Sequence, residues 1–164
     1  MPPSTQDVWQ ALNKVEDPEI PVLNVVEMGI VREVHLDGDS VEVAITPTYS
    51  GCPAMDAIAD AIRNQLTESL PVTVTIKTVY QPAWTTDWMT GEARKKLKDY
   101  GIAPPQPKPC GTSKKPWLTE PSQAACPYCN ASNTSLTSAF GSTACKSLHY
   151  CHACQQPFEH FKCI

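Results

Sequence analysis

Two short patterns bracket the last third of the chain, CPYC at 126–129 and CHAC at 151–154, with 21 residues between them. Each is Cys-x2-Cys. Two thiolates on one tight turn can reach the same ion, and two such turns complete a tetrahedral sulfur shell. The separation runs one residue past the usual zinc-ribbon range. Cys126, Cys129, Cys151 and Cys154 are therefore the expected ligands of one structural zinc. Iron in a rubredoxin-like site is the competitor, because it takes the same four sulfurs. The need for a metal is physical: residues 122–164, rich in Ser and Thr, cannot bury enough surface to fold unaided, and metal binding couples to folding. Four cysteines fill the shell, so neither His149 nor His152 is needed as a ligand and no zinc catalysis is expected. Cys110, Cys145 and Cys163 have no partner at ligand spacing.

The remaining cysteine, Cys52, stands far from the others in TPTYSGCPAMDAI, residues 46–58. If Pro53 occupies the first position of a helix, Cys52 is its N-cap. Free backbone N–H groups and the positive end of the helix dipole would then lower its pKa and favour the thiolate. The competing reading is a small buried side chain that merely caps a helix. Asp17 and Glu19 sit in a second, proline-framed loop and would converge on the same edge if the two loops meet. Thr48, Tyr49 and Ser50 offer hydroxyls nearby. No histidine is placed to make a Cys–His nucleophile: His35 falls in a predicted strand, at the surface. A hydrolase is thereby disfavoured.

The elements that must carry these residues follow from periodicity. Ser4 and Asp7 have capping-box spacing, and Val8, Ala11, Leu12 and Val15 recur as on a helix that stops near Asp17, before Pro18. DPEIPVLNVVEMG reads as a loop leading inward. Residues 30–36 form a strand, Asp37-Gly38-Asp39 a turn, and Val41, Val43 and Ile45 alternate as the second strand of a hairpin. Met55, Ile58, Ile62 and Leu66 mark the buried face of a helix broken at Leu70-Pro71. Val72, Val74, Ile76 and Thr78 alternate as a third strand. A last helix is expected over 86–100, with Met89, Ala93, Leu97 and Tyr100 inward and Gly101 as its stop. The predicted fold class is α+β: a two-layer, three-stranded sheet with helices on one face, plus a small C-terminal zinc-ribbon β domain. The domains run 1–103, a linker 104–121 holding six prolines, and 122–164. WTTDW at 84–88 reads as core or junction packing rather than a docking surface, and Arg94-Lys95-Lys96 as a solvated helix face.

The net charge of −4 over 164 residues hides an asymmetry. Residues 1–103 carry eight Lys or Arg against fifteen Asp or Glu, and residues 104–164 carry five against two. An acidic body and a weakly basic tail argue against nucleic acid as a ligand. Eight cysteines point to metal or redox chemistry more than to structural disulfides. No apolar run of about 18 residues and no secretory signal are visible, so a cytoplasmic location is expected and no membrane partner.

DPEIPVLNVVEMGIV, the Thr-x-x-x-Cys-Pro of TYSGCP, and QPAWTTDWMTGEARKKLKDYGI resemble the small domain of iron–sulfur assembly factors typified by SufT, over roughly residues 5–103. FGSTACKSLHYCHACQQPFEHFKCI resembles the zinc ribbon joined to that domain in one lineage, the D component of phenylacetyl-CoA epoxidase systems. The resemblance implies that the family's polar cluster falls on Asp17, Glu19, Thr48 and Cys52, and that the thiol serves transfer or assembly of iron–sulfur clusters. Tyr49 departs from the pattern, where relatives often carry a smaller residue. The implied role is a non-enzymatic accessory or maturation factor in aerobic phenylacetate degradation, assisting cluster assembly in the reductase component. Its partners would be the reductase and other epoxidase subunits, and its cofactors one structural zinc and a transient iron or iron–sulfur cluster. The chain lacks a Glu-x-x-His pair for a di-iron centre, a dinucleotide fingerprint and ferredoxin cysteine spacing, so it is neither oxygenase nor reductase. A structural subunit of the oxygenase and a rubredoxin-like redox carrier are the alternatives.

Overall fold

The first helix opens as its spacing predicts. The Ser4 hydroxyl accepts from the Asp7 backbone N–H at 3.2 Å, and the Asp7 carboxylate accepts from the Ser4 N–H at 2.8 Å. This capping box satisfies donors that a helix start otherwise leaves bare. Helix α1, Thr5–Leu12, buries Val8, Ala11 and Leu12. It ends at the C-cap Asn13, earlier than the expected stop near Asp17. The following residues leave the helix because they pair elsewhere: Val25 N–H donates to the Val15 carbonyl at 3.0 Å, and Glu16 and Asn24 form an antiparallel bridge.

The computed structural model describes residues 3–49, 51–106 and 124–163. They divide into two compact units. One comprises the chain up to Trp84 together with Trp88–Thr90; the other comprises Thr85–Asp87 and the chain from Gly91.

In the first unit, strands β1 (Val31–Asp37), β2 (Ser40–Ile45) and β3 (Thr73–Thr78) form a sheet in the order β1-β2-β3. β1 and β2 are an antiparallel hairpin around Gly38. β2 and β3 are parallel, in register from Ser40↔Thr73 to Ile45↔Thr78, and α2, Ala54–Ser69, is the crossover that parallel pairing requires. Val41, Val43 and Ile45 are fully buried on the central strand. Ile58, Ile62 and Leu66 of α2 are buried as well; α2 packs against β3 and α1, and α1 against β1. Each such side chain contributes about 1.5–3 kcal/mol by leaving water. Met55 is only half-buried and Ala54 takes the inward place at the start of α2. Gly29 is needed where the inward loop meets the sheet: its φ is +72°, and an added Cβ would lie 2.9 Å from the Trp88 Cβ.

The second unit is larger than a ribbon alone. Its four-stranded sheet runs β4-β7-β6-β5, with β4 (Ile102–Ala103), β5 (Thr134–Ser138), β6 (Lys146–Cys151) and β7 (Pro157–Phe161). The single helix expected over 86–100 is in fact a 3-10 turn, Thr86–Trp88, and then α3, Gly91–Asp99. Met89, Ala93 and Leu97 are buried as predicted, whereas Tyr100 is 58% exposed. α3 belongs with the ribbon because Ile102 and Ala103, just past its Gly101 stop, pair in parallel with Glu159 and His160 of β7. The Arg94 guanidinium ties the helix further, donating to the carbonyls of Thr86 and Pro105, both at 2.7 Å. The core here is Ala103, Ala124, Cys126, Cys151 and Phe158. Most of the expected linker, including Trp117 and Leu118, lies outside the described residues. No helix among the described residues is long and apolar enough to cross a membrane. The architecture is thus the α+β body and C-terminal ribbon read from the sequence, with the last helix reassigned.

Candidate functional site

The loop between α1 and β1 is held by its own acid. Asp17 is buried, and its Oδ1 accepts from the backbone N–H groups of Glu19 at 2.8 Å and Ile20 at 2.9 Å. Its own N–H donates to the Leu23 carbonyl at 2.8 Å. These bonds pin DPEI into one conformation and explain why a carboxylate tolerates burial there.

The second loop leaves the carboxyl end of β2. Thr46, Pro47 and Thr48 are buried. Gly51, at φ +76°, turns the chain toward α2, and Cys52 N–H donates to the Tyr49 carbonyl at 3.3 Å. Cys52 is half-buried. Pro53 already has helical φ and ψ just ahead of α2, which begins at Ala54, and the Ala54 N–H is hydrogen-bonded to the Cys52 sulfur, so the thiol stands at the helix start as the sequence predicts.

The thiol is nevertheless not activated as expected. Burial pushes the Cys52 pKa up, and the Glu19 and Asp17 carboxylates push it up further; the Ala54 N–H and the Tyr49 hydroxyl, both hydrogen-bonded to it, pull it down without prevailing. Burial outweighs the single N–H that the helix start supplies, and the two carboxylates add to its effect. The two loops lie near enough for the Glu19 and Asp17 charges to act on Cys52. Thr48 lies buried on the same loop as Cys52. One sulfur and two carboxylates form a poor nucleophilic centre at neutral pH. Among the described residues the group gathered at metal-ligand distance is the four ribbon cysteines, so a cation between the two loops would have to draw Asp17, Glu19 and Cys52 closer, and its charge would then favour the thiolate.

The second cluster is in the ribbon. The sulfurs of Cys126, Cys129, Cys151 and Cys154 all lie within 4.8 Å of one another. Cys126 and Cys154 sulfurs are 3.6 Å apart, as are those of Cys129 and Cys151. A tetrahedral shell with metal–sulfur bonds of about 2.3 Å sets sulfurs about 3.8 Å apart, so the four fit one ion. The two turns repeat each other. Asn130 N–H donates to the Cys126 carbonyl and Gln155 N–H to the Cys151 carbonyl, both at 2.9 Å. Cys126 N–H donates to Ala131 and Cys151 N–H to Gln156, both at 3.0 Å. Asn130 and Gln155, each just past its second cysteine, have φ of 61° and 60°. Backbone N–H groups of Cys154 and Ala153 bring Cys151 down to about 7. Burial, together with the adjacent sulfurs, drives Cys154 up to about 12. Four thiolates cannot coexist at this spacing without a central cation.

His149 and His152 stay out of this cluster, as predicted. His149 is buried with Nε2 3.0 Å from the Ser147 hydroxyl, and His152 Nε2 lies 3.0 Å from Ser135 Oγ. His149 meets His160 edge-on at 5.4 Å. Burial holds both imidazoles neutral, His160 down to about 4. The inward place of His160 is legible in the alternation of β7, but histidine as a residue type points to the surface and conceals it. Cys163 corrects the reading that disfavoured disulfides: it is disulfide-bonded.

Comparison with known proteins agrees with this division. Residues 5–82 match a family described as iron-sulfur cluster assembly protein, and residues 111–162 match the PaaD zinc beta ribbon domain. An Escherichia coli protein, named as the putative D subunit of 1,2-phenylacetyl-CoA epoxidase, is 44% identical over 163 residues, 99% of this chain and 95% of its own. An Fe-S protein maturation auxiliary factor of Porphyromonas gingivalis is 36% identical over 94 residues, 56% of this chain and 89% of its own. The crystal structure of a DUF59 domain of unknown function from Bacillus anthracis aligns with a TM-score of 0.53 at 26% identity, covering 56% of this chain and 89% of that one. The chain belongs to the family of phenylacetyl-CoA epoxidase D subunits, in which an iron–sulfur assembly domain precedes a zinc ribbon.

Proposed function

We propose that this protein is a non-enzymatic maturation factor of a phenylacetyl-CoA epoxidase system, assisting iron–sulfur cluster assembly in the reductase component. Cys52 is the transient ligand of iron or of a cluster. Asp17 and Glu19 supply the adjoining charge, and Thr48 shapes the pocket wall. One zinc held by Cys126, Cys129, Cys151 and Cys154 is structural, since four thiolates leave no open position. Partners are the reductase and the other epoxidase subunits.

The observation that supports the reading is that Asp17 and Glu19, on a separate loop, act electrostatically on Cys52. A half-buried thiol kept neutral by burial, with two acids adding to the effect, is stored in an unreactive form, and an arriving cation switches it to a ligand. The likeness of residues 5–82 to assembly proteins supports the same role. The test is to purify the reductase from cells carrying Cys52→Ser. Reduced cluster content is expected, and full content with normal epoxidation defeats the proposal. A structural subunit, by contrast, tolerates Cys52→Ser and co-purifies with the oxygenase at fixed ratio. Iron in the ribbon in place of zinc makes a coloured protein with a reversible one-electron potential, and so exposes a redox carrier.

A further inference from the structure

The four ribbon sulfurs are unequal in their surroundings. Cys126 and Cys151 are buried, Cys154 is half-buried, and Cys129 is exposed. Its neighbours Tyr128 and Asn130 are exposed as well, so the first turn presents one corner of the cluster to solvent. The Cys151 sulfur stands 3.6 Å from that of Cys129, close enough to close a disulfide with a small shift of either side chain.

We infer that Cys129 is an oxidation site, and that peroxide converts the Cys129–Cys151 pair to a disulfide that dismantles the metal shell. The inference rests on the metal reading of the ribbon. In the first step the Cys129 thiolate attacks a peroxide oxygen. The O–O bond breaks, a sulfenic acid forms and hydroxide leaves. In the second, the Cys151 thiolate attacks the sulfenic sulfur, the S–S bond forms and a second hydroxide leaves. Two thiolates lose two electrons in total and one hydrogen peroxide is reduced to two hydroxides. With only Cys126 and Cys154 left as thiolates, a divalent cation has half its ligands and dissociates. Access selects the order of events, because susceptibility to oxidation follows exposure as well as thiolate character.

The test uses the full chain with its metal counted first. One zinc per chain is expected, and a chain that binds no metal in the ribbon overturns the ribbon reading and this inference together, before any peroxide is added. Hydrogen peroxide is then titrated in while released zinc is followed with a chromogenic chelator and disulfides are mapped by mass spectrometry. The expected result is one zinc released per disulfide, with Cys129–Cys151 as the first link. Cys129→His preserves a four-ligand shell and should slow release by about tenfold or more. In the unsubstituted protein, limited iodoacetamide should label Cys129 before the other three, which tests the same order without a variant. First oxidation at Cys126 or Cys154, or zinc retained under excess peroxide, refutes the inference while leaving the ribbon reading intact.

Discussion

Asp17 performs two tasks that one pair of substitutions can separate. Its Oδ1 anchors the loop through the N–H groups of Glu19 and Ile20, at 2.8 and 2.9 Å, and its charge raises the pKa of Cys52. A hydrogen bond to a charged group is worth about 1.5–3 kcal/mol, and removing the acceptor strands a buried donor. Asp17→Ala loses both bonds and should cost about 3–5 kcal/mol. Asp17→Asn keeps an oxygen in place and should cost about 1 kcal/mol or less. The same Asn substitution removes the smaller of the two charges that add to the effect of burial on the thiol, so the thiol should ionise at slightly lower pH. Urea unfolding reads the first effect, and the rate of Cys52 alkylation against pH reads the second. In the unsubstituted protein that rate should climb at a higher pH than for an ordinary cysteine. Equal destabilisation by Ala and Asn refutes the anchoring argument. An unchanged alkylation profile in Asp17→Asn refutes the electrostatic one.

Other consequences follow from packing and from the ribbon. Ile62, fully buried on α2, should cost about 2–5 kcal/mol when replaced by Ala, measured by denaturant midpoint. Gln155→Gly relieves a left-handed residue that ordinary side chains adopt at about 1–2 kcal/mol and should raise the thermal midpoint of the second unit, while Gln155→Val lowers it. A strong chelator should unfold the second unit and leave the first folded, as read by circular dichroism and proteolysis. His160 has a folded-state pKa near 4, below the unfolded value of about 6.5, so the unfolded chain binds more protons between them. Its contribution is therefore present at neutral pH and lost as pH falls from about 6.5 through 4, and His160→Phe should flatten that part of the pH–stability curve.

Much of the fold is readable from local chemistry. The Ser4 box, the Gly38 hairpin and the Ile58-Ile62-Leu66 stripe are short-range signals, and each appears where its pattern demands. The metal cluster is readable because ligand spacing is itself the mechanism. The assignment of α3 is not, since it depends on Ile102 and Ala103 pairing with residues more than fifty positions away. The thiol at Cys52 misleads for a related reason. A helix start is visible in sequence, but the burial that overrides it is set by tertiary packing, and the carboxylates that add to it arrive from another loop. Asn130 and Gln155 share one place after each Cys-x2-Cys; Asn hints at the left-handed turn, and Gln conceals it.

The central claim is that Cys52, with Asp17 and Glu19, is a cation site distinct from the ribbon. Anaerobic titration of the purified chain with ferrous iron, following sulfur-to-iron charge transfer and counting both metals, tests it most directly. The account predicts one iron beyond the ribbon metal, lost in Cys52→Ser and weakened in Asp17→Asn, with the ribbon metal unchanged. Iron uptake that is absent from the unsubstituted chain, or indifferent to Cys52→Ser, contradicts it.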